Sequence, residues 1–288
     1  MADWNPGLYL KFERERTQPV RDLVARLEVR EPSRILDIGC GPGNSTAVLK
    51  ERWPKASVTG LDNSRAMIEK ARRARTDIEW LEADAASDLS HLGAFDVVLA
   101  NASLQWLPNH AALLPRLFRS VGRGGALAVQ IPQFDRMPIA QALSETTRQA
   151  EFASFFTGFD DALERLEDAA YYDVLSESSG AVDLWVTHYY HVMEGHEAII
   201  EWMTSTALRP YLDRLPPNQQ GPFLAAVLAR LRQAYPAQHD GRVLFIFKRL
   251  FFIAYRAGER DSSRREAFDR AGGPVESSRA ALDERNDR

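Results

Sequence analysis

Between residues 34 and 131, short apolar runs alternate with polar stretches that carry helical spacing. The runs at 34–38, 57–61, 78–81, 95–100 and 125–131 are nearly continuous in apolar character, as strands buried on both faces are. Between them, 45–52 stops before Pro54, and 64–75 opens on Ser64, whose hydroxyl can cap free helix amides. A third helical stretch, 111–121, runs into Gly122, Gly124 and Gly125, a stop signal. Strands alternating with helices of this length predict right-handed crossovers and a mostly parallel sheet with helices on both faces. The expected fold is an open, doubly wound α/β domain.

After Pro132 the pattern changes. Residues 133–180 and 195–235 read as helical and are rich in aromatics, among them Phe152, Phe155, Phe156, Phe159, Tyr171 and Tyr172. Two strand candidates, 182–193 and 243–256, interrupt and close this half. The economical arrangement returns both to the sheet and leaves the helices as a cover over its carboxyl edge. Beyond 257 the chain is charged and serine-rich, which fits a disordered tail or a loosely packed helix. The division expected is therefore an N-terminal segment and flap at 1–30, a core at 31–132, a cover with two returning strands at 133–256, and a tail at 257–288.

Composition narrows the function classes. With 288 residues and 45% hydrophobic content, the chain can bury a full core. A net charge of -4 and a pI of about 5.9 argue against a general nucleic-acid binder, whose footprint is basic. Cys40 is the single cysteine, so no internal disulfide points to an oxidising compartment. Asp3 near the start, with no apolar run behind it, is unlike a signal peptide. The apolar stretch at 243–255 is short and carries Lys248 and Arg249, which excludes a membrane span there. A cytoplasmic location is expected.

The chemistry begins at Asp37-Ile38-Gly39-Cys40-Gly41-Pro42-Gly43, where the first strand should end. Ligands of open parallel sheets bind beyond the carboxyl ends of the strands, where strand order reverses. Gly39, Gly41 and Gly43 allow left-handed dihedrals and close backbone approach. Dinucleotide enzymes use a G-x-G-x-x-G turn here, but this turn is G-x-G-x-G with an acid two residues before it. Asp37 is a poor neighbour for a pyrophosphate and a good one for an ammonium group, which favours S-adenosylmethionine. Asp62, closing the second strand, can accept both ribose hydroxyls. Asp84, after the third, is placed for an adenine amino group, and Asn101 at the end of the fourth for the methionine chain. Any one of these acids could instead be a helix cap; four successive strand ends at one edge favour a site. Cys40 has no neighbouring base and reads as a small residue fitted to the turn. Ser103-Leu104-Gln105-Trp106 is not the Asn-Pro-Pro-aromatic motif of adenine amino methylators.

More specific residues carry a resemblance. Asp3-Trp4-Asn5-Pro6 with Leu8-Tyr9-Leu10 and Phe12, the 35–46 stretch, Ala100-Asn101-Ala102-Ser103-Leu104-Gln105-Trp106-Leu107-Pro108 and Leu208-Arg209-Pro210 strongly resemble the trans-aconitate 2-methyltransferase family, from Asp3 to about Arg256. The resemblance implies a monomeric cytosolic enzyme that methylates a carboxylate of trans-aconitate, giving the monomethyl ester and S-adenosylhomocysteine. It also implies the seven-stranded Rossmann-like methyltransferase sheet, with an antiparallel final strand and a helical cover. A carboxylate is already ionised at neutral pH, so positioning suffices and no general base is expected. For the tricarboxylate, the candidates are Arg209, then His188, Tyr189 and Tyr190, Gln105 and Trp106, and Tyr9 with Arg14 from the N-terminal segment. Strand alternation means that if His188 and Tyr190 face the pocket, Tyr189 does not. Three alternatives stay open: another small-molecule carboxyl or hydroxyl methyltransferase, a cofactor-binding protein without turnover, and a nucleic-acid methyltransferase.

Overall fold

The computed structural model describes residues 13–161, 163–164, 166–204 and 206–258. Its centre is one seven-stranded sheet made of β1 (Arg34–Ile38), β2 (Ser57–Asp62), β3 (Glu79–Glu82), β4 (Phe95–Asn101), β5 (Val121–Pro132), β6 (Ala181–Met193) and β7 (Val243–Tyr255). The order is β3-β2-β1-β4-β5-β7-β6. Neighbours among the first five strands pair parallel, whereas β7 runs antiparallel between β5 and β6. The order reverses between β1 and β4, which opens a crevice at their carboxyl ends. Both late strands return to the sheet, as the sequence predicted.

Period-two alternation divides the core. Leu36, Ile38, Val98, Ala100, Leu127, Val129 and Phe252 face one side, under α4 (His110–Arg119) and α6 (Asp168–Ser176). Ile35, Val97, Leu99, Ala126, Ala128, Phe251 and Ile253 face the other. That side is closed by α1 (Glu13–Ala25) through Val20, Leu23 and Val24, and by α2 (Asn44–Arg52) through Val48 and Leu49. Much of the segment expected to act as a flap is thus a helix seated on the core; its first 12 residues and the tail from 259 lie outside the described residues. The third helix, α3 (Arg65–Ala74), is capped as expected, with Ser64 Oγ accepting from the Met67 amide at 3.3 Å. The expected 111–121 helix instead ends at Arg119, because Val121 is already paired with Phe95 in the sheet.

A second core holds the cover. Ile139 and Leu143 of α5 (Pro138–Thr147), Ile199 and Trp202 of α7 (His196–Thr204), Tyr211 of α8 (Arg209–Arg214), and Phe223 and Val227 of α9 (Pro217–Ala234) pack together. Phe245 and Phe247 at the start of β7 join them. Phe152, Phe223 and Phe245 are fully buried, each worth roughly 1.5–3 kcal/mol of apolar transfer. One long strand therefore belongs to both cores and fixes the cover over the carboxyl edge of the sheet.

Candidate functional site

The glycine turn after β1 is built for close approach. Gly39, Gly41 and Gly43 have φ of 67°, 55° and 100°, the left-handed region that glycine enters without strain. The Gly39 and Cys40 amides donate to Leu61 O at 2.7 and 3.0 Å, tying the turn to β2. A Cβ on Gly39 would lie 2.3 Å from Ser103 Cβ, and one on Gly43 would lie 2.7 Å from the Trp80 ring. Gly41 differs: a Cβ there meets nothing within 4 Å. Two glycines are thus required by packing against protein, and the middle one faces open space in the crevice. No side chain caps the start of α2, so its first turn also offers amides to the crevice.

The predicted acids take different places. Asp62 Oδ2 accepts from the Gly41 amide at 2.9 Å and Oδ1 from the Ser64 amide at 2.8 Å, which aims the carboxylate along the open side of the turn. An ionised carboxylate has further lone pairs to offer. Asp84, exposed just past β3, accepts from the Ala86 amide at 2.8 Å. Asp37 lies deeper than the sequence suggested. It is fully buried, and its Oδ2 accepts from the Ser45 and Thr46 hydroxyls, each at 2.6 Å, pinning α2 to β1. Its Oδ1 has no partner. Burial raises the carboxyl from 3.8 to about 6, against the lowering pull of the two hydroxyls. Asn101 ends β4 with a buried Oδ1 that also lacks a partner. Cys40 packs against Ile68, Ala71, Ile78 and Trp80, and burial pushes its thiol well above the ordinary range, so it stays an inert neutral group.

The loop after β4 is held rigidly. Ala102 takes a left-handed φ of 53°, and Ser103 Oγ donates to Ile38 O at 2.7 Å. Gln105 is buried; its Nε2 donates to Ala102 O at 2.8 Å, while its Oε1 has no partner. His110 Nε2 lies 2.8 Å from Leu104 O and Nδ1 2.6 Å from Tyr171 Oη. A carbonyl only accepts, so Nε2 carries the hydrogen and Nδ1 accepts from the tyrosine. Tyr171 Oη accepts in turn from the Leu166 amide at 3.4 Å, and the Glu164 amide donates to Gln105 O at 2.9 Å. The cover and the loop are thereby one hydrogen-bonded unit, with Trp106 half-buried on its rim.

The residues expected on the acceptor side take different faces. Tyr189 of β6 turns inward and donates to Asp22 Oδ2 at 2.6 Å; burial first, and then that bond, push its hydroxyl up. The expected pair His188 and Tyr190 lies on the opposite, outer face, and Tyr190 is 60% exposed. That is a correction, and its cause is parity: α1 and α7 cover the odd-numbered face of β6 here. Arg209 opens α8, largely covered, with Asp213 one turn on at 3.8 Å. Arg14 is exposed on α1, and Tyr9 lies outside the described residues.

The inward face also holds residues the sequence reading missed. Arg249 of β7 is 4% exposed; its Nη1 donates to the fully buried Gln130 Oε1 at 3.0 Å. Its guanidinium lies 4.4 Å from the Phe247 ring centre. His191 is buried, 4.8 Å ring to ring from Trp202, and burial followed by the charge of Arg249 lowers it to about 3, so the ring is neutral. Arg16, 7% exposed on α1, donates to Trp202 O at 3.2 Å and sits 5.3 Å from that ring. One signal was available: Arg249 is a charge inside an apolar run, and it counted only against a membrane span.

Comparison with known proteins places the site in a family. Residues 35–125 match the model of a methyltransferase domain. The chain is 45% identical over 257 residues to a trans-aconitate 2-methyltransferase of an Enterobacter species, covering 89% of this chain and 99% of the relative. A trans-aconitate 2-methyltransferase of Methylobacterium nodulans matches with the same identity and coverage. Among solved structures, the plantazolicin methyltransferase BpumL, in complex with a triazolic desmethylPZN analog and SAH, shares the fold with a TM-score of 0.50. The two are 19% identical, over 87% of this chain and 90% of that one. Identity near one half across nearly the full length of these relatives, on the strand order and glycine turn described above, means that the chain belongs to the trans-aconitate 2-methyltransferase family of class I S-adenosylmethionine-dependent methyltransferases.

Proposed function

We propose that this chain transfers the methyl group of S-adenosylmethionine to a carboxylate of trans-aconitate, giving the monomethyl ester and S-adenosylhomocysteine. The observation that carries this reading is the 45% identity over 99% of a relative bearing that name. The crevice fits the cofactor's chemistry. Gly41 leaves open space where a ligand backbone can approach, and Asp62 stands beside it with lone pairs suited to ribose hydroxyls. In this reading Asp84 accepts from the adenine amino group, and the unpartnered oxygens of Asp37 and Asn101 suit a cationic methionine end. Gly39 and Gly43 keep the turn against Ser103 and Trp80.

When bound, the cofactor supplies an electrophilic methyl group on a sulfonium. The chain's part is to present an already ionised carboxylate in line with it, so no side chain must remove a proton. Gln105 and Trp106 follow Asn101 on the loop that Ser103, His110 and Tyr171 hold in place, and they border the methyl position in this reading. Tyr189 serves on the acceptor side; Arg209, Arg14 and Tyr9 remain candidates from the cover and the N-terminal segment. A cytosolic monomer that engages neither nucleic acid nor membrane is part of the proposal. The charge of -4 supports the part about nucleic acid, and among the described residues no helix is long and apolar enough to cross a membrane.

The test is incubation with methyl-labelled cofactor and a panel of tri-, di- and monocarboxylates, with esters identified by mass spectrometry. Label in a trans-aconitate monomethyl ester is expected; transfer only to an unrelated acceptor refutes the substrate.

A further inference from the structure

One face of the sheet carries a graded row of polar groups at its carboxyl edge. Asp37 on β1 pairs with Leu99, and Asn101 follows two residues later on β4. Asn101 pairs directly with Gln130 on β5. Gln130 pairs with Phe251 of β7, and Arg249 is two residues further on the same face. Arg249 pairs with Thr187 of β6, beyond which Tyr189 and His191 point the same way. Directly paired residues and residues two apart share a face, so all of these side chains line one surface. The helix α1 crosses that surface and adds Arg16.

The charge along this row changes sign. An acid stands on β1, two neutral amides follow on β4 and β5, and a guanidinium stands on β7 with another above it on α1. Asp37 and Arg249 are three strand spacings apart across the sheet, ~14 Å at ~4.8 Å each, and four residues apart along it, ~13 Å at ~3.3 Å each, on the order of 19 Å in all. A sulfonium cofactor at the β1 end and a polyanion at the β7 end match that polarity. Guanidinium groups keep their charge at any working pH, so Arg249 and Arg16 make this end of the row positive. The neutral members of the row have bonds to give. Gln130 Nε2 and His191 Nε2, both on this face, are buried without partners. Native folds leave few such atoms unmade, and two on one face beside Arg249 mark a polar ligand's place.

The geometry points to Arg249, Arg16 and Gln130 as the site that binds the acceptor's non-reacting carboxylates, selecting a polycarboxylate over a monocarboxylate. This rests on the function proposed above and names the residues that read its substrate. Gln130 Oε1 fixes one edge of the Arg249 fork, and Phe247 supports its face. The Trp202 carbonyl and ring hold the Arg16 guanidinium in the same way. Neutral His191, as its Nε2–H tautomer, and Gln130 Nε2 donate to the remaining carboxylate oxygens. Two planar forks suit two carboxylates held at fixed separation, a geometry that lysine does not reproduce.

The experiment is calorimetric titration of trans-aconitate and of citrate into protein saturated with S-adenosylhomocysteine, for the unaltered chain and for Arg249→Met, Arg249→Lys and Arg16→Met, alongside steady-state kinetics. Each Met variant is expected to weaken tricarboxylate binding and raise KM at least about 10-fold, the scale of a lost charge-assisted pair. Product-cofactor affinity should stay within about 2-fold, and Arg249→Lys should recover part of the loss. The preference for a tricarboxylate over a monocarboxylate should shrink in the Met variants, which a merely structural arginine would not cause. Should Arg249→Met lose the product cofactor through misfolding, Arg16→Met reads the same quantity. Unchanged tricarboxylate affinity in the folded Met variants, or no polycarboxylate binding by the unaltered chain, overturns the site. If the unaltered chain binds tricarboxylates through Arg249 yet does not methylate trans-aconitate, the site stands and the proposed function falls.

Discussion

Replacing Asp37 by Asn isolates the energetic cost of the acid beneath the glycine turn. The carboxyl is fully buried, and burial raises it from 3.8 to about 6. At pH 7 the folded chain therefore carries an ionised group held at a cost of about 3 kcal/mol relative to the unfolded chain. The folded value lies above the unfolded one, so the folded state binds the extra proton between them. Stability from this group is fully present below 3.8, is lost as pH rises towards 6, and is level above that. Asparagine keeps an oxygen that can accept from Ser45 and Thr46 and removes the charge. The shift is already net of the bonds from Ser45 and Thr46, which favour the ionised form, so they are not subtracted again. The net expectation is a variant about 3 kcal/mol more stable without cofactor at pH 7.5. The stability difference between variant and parent should shrink by about 1.3 kcal/mol at pH 5, other titrating groups cancelling. Urea unfolding of both proteins at the two pH values measures this. At the same time, affinity for S-adenosylmethionine should fall, because an amide does not neutralise an ammonium group. A stability gap independent of pH would refute the burial argument; unchanged cofactor affinity would remove Asp37 from the binding site.

The turn and the loop give further tests. Gly39→Ala puts a Cβ 2.3 Å from Ser103 Cβ and should fail to fold or lose much of its thermal stability. Gly41→Ala meets nothing within 4 Å, so it should cost only the ~1 kcal/mol of a left-handed alanine. Its loss should appear instead in calorimetric affinity for S-adenosylhomocysteine; the reverse ranking would contradict the assignment of Gly41 to the ligand side. Tyr171→Phe leaves His110 Nδ1 buried without its donor and should cost about 1–3 kcal/mol in urea unfolding. Because burial lowers His110 from 6.5, its neutral form also makes the parent lose stability as pH falls through that value, while His110→Gln should flatten that part of the profile.

The cofactor end was legible because its information is local. Strand, G-x-G-x-G turn and helix follow one another within residues 34–52, and the left-handed φ values at Gly39, Gly41 and Gly43 are what that spacing asks of the backbone. Asp62 and Asp84 follow from strand ends a few residues away, although burial moved Asp37 from open contact to an anchor for α2. The acceptor end was not legible in the same way. Alternation in β6 gave two faces, and nothing in 181–193 says which one is covered. Trp202 and α1 decide it, turning Tyr189 and His191 inward and leaving His188 and Tyr190 outside.

By itself, then, the sequence determined the doubly wound sheet, the glycine turn and the strand-end positions of Asp62 and Asp84, since each is a short-range pattern of period, turn and strand end. The tertiary structure alone decided the polar row beyond it, where Arg249 meets Gln130 across 119 residues and Arg16 meets Trp202 across 186. Such contacts depend on which strands become neighbours and on which face a helix covers, and no local spacing encodes either.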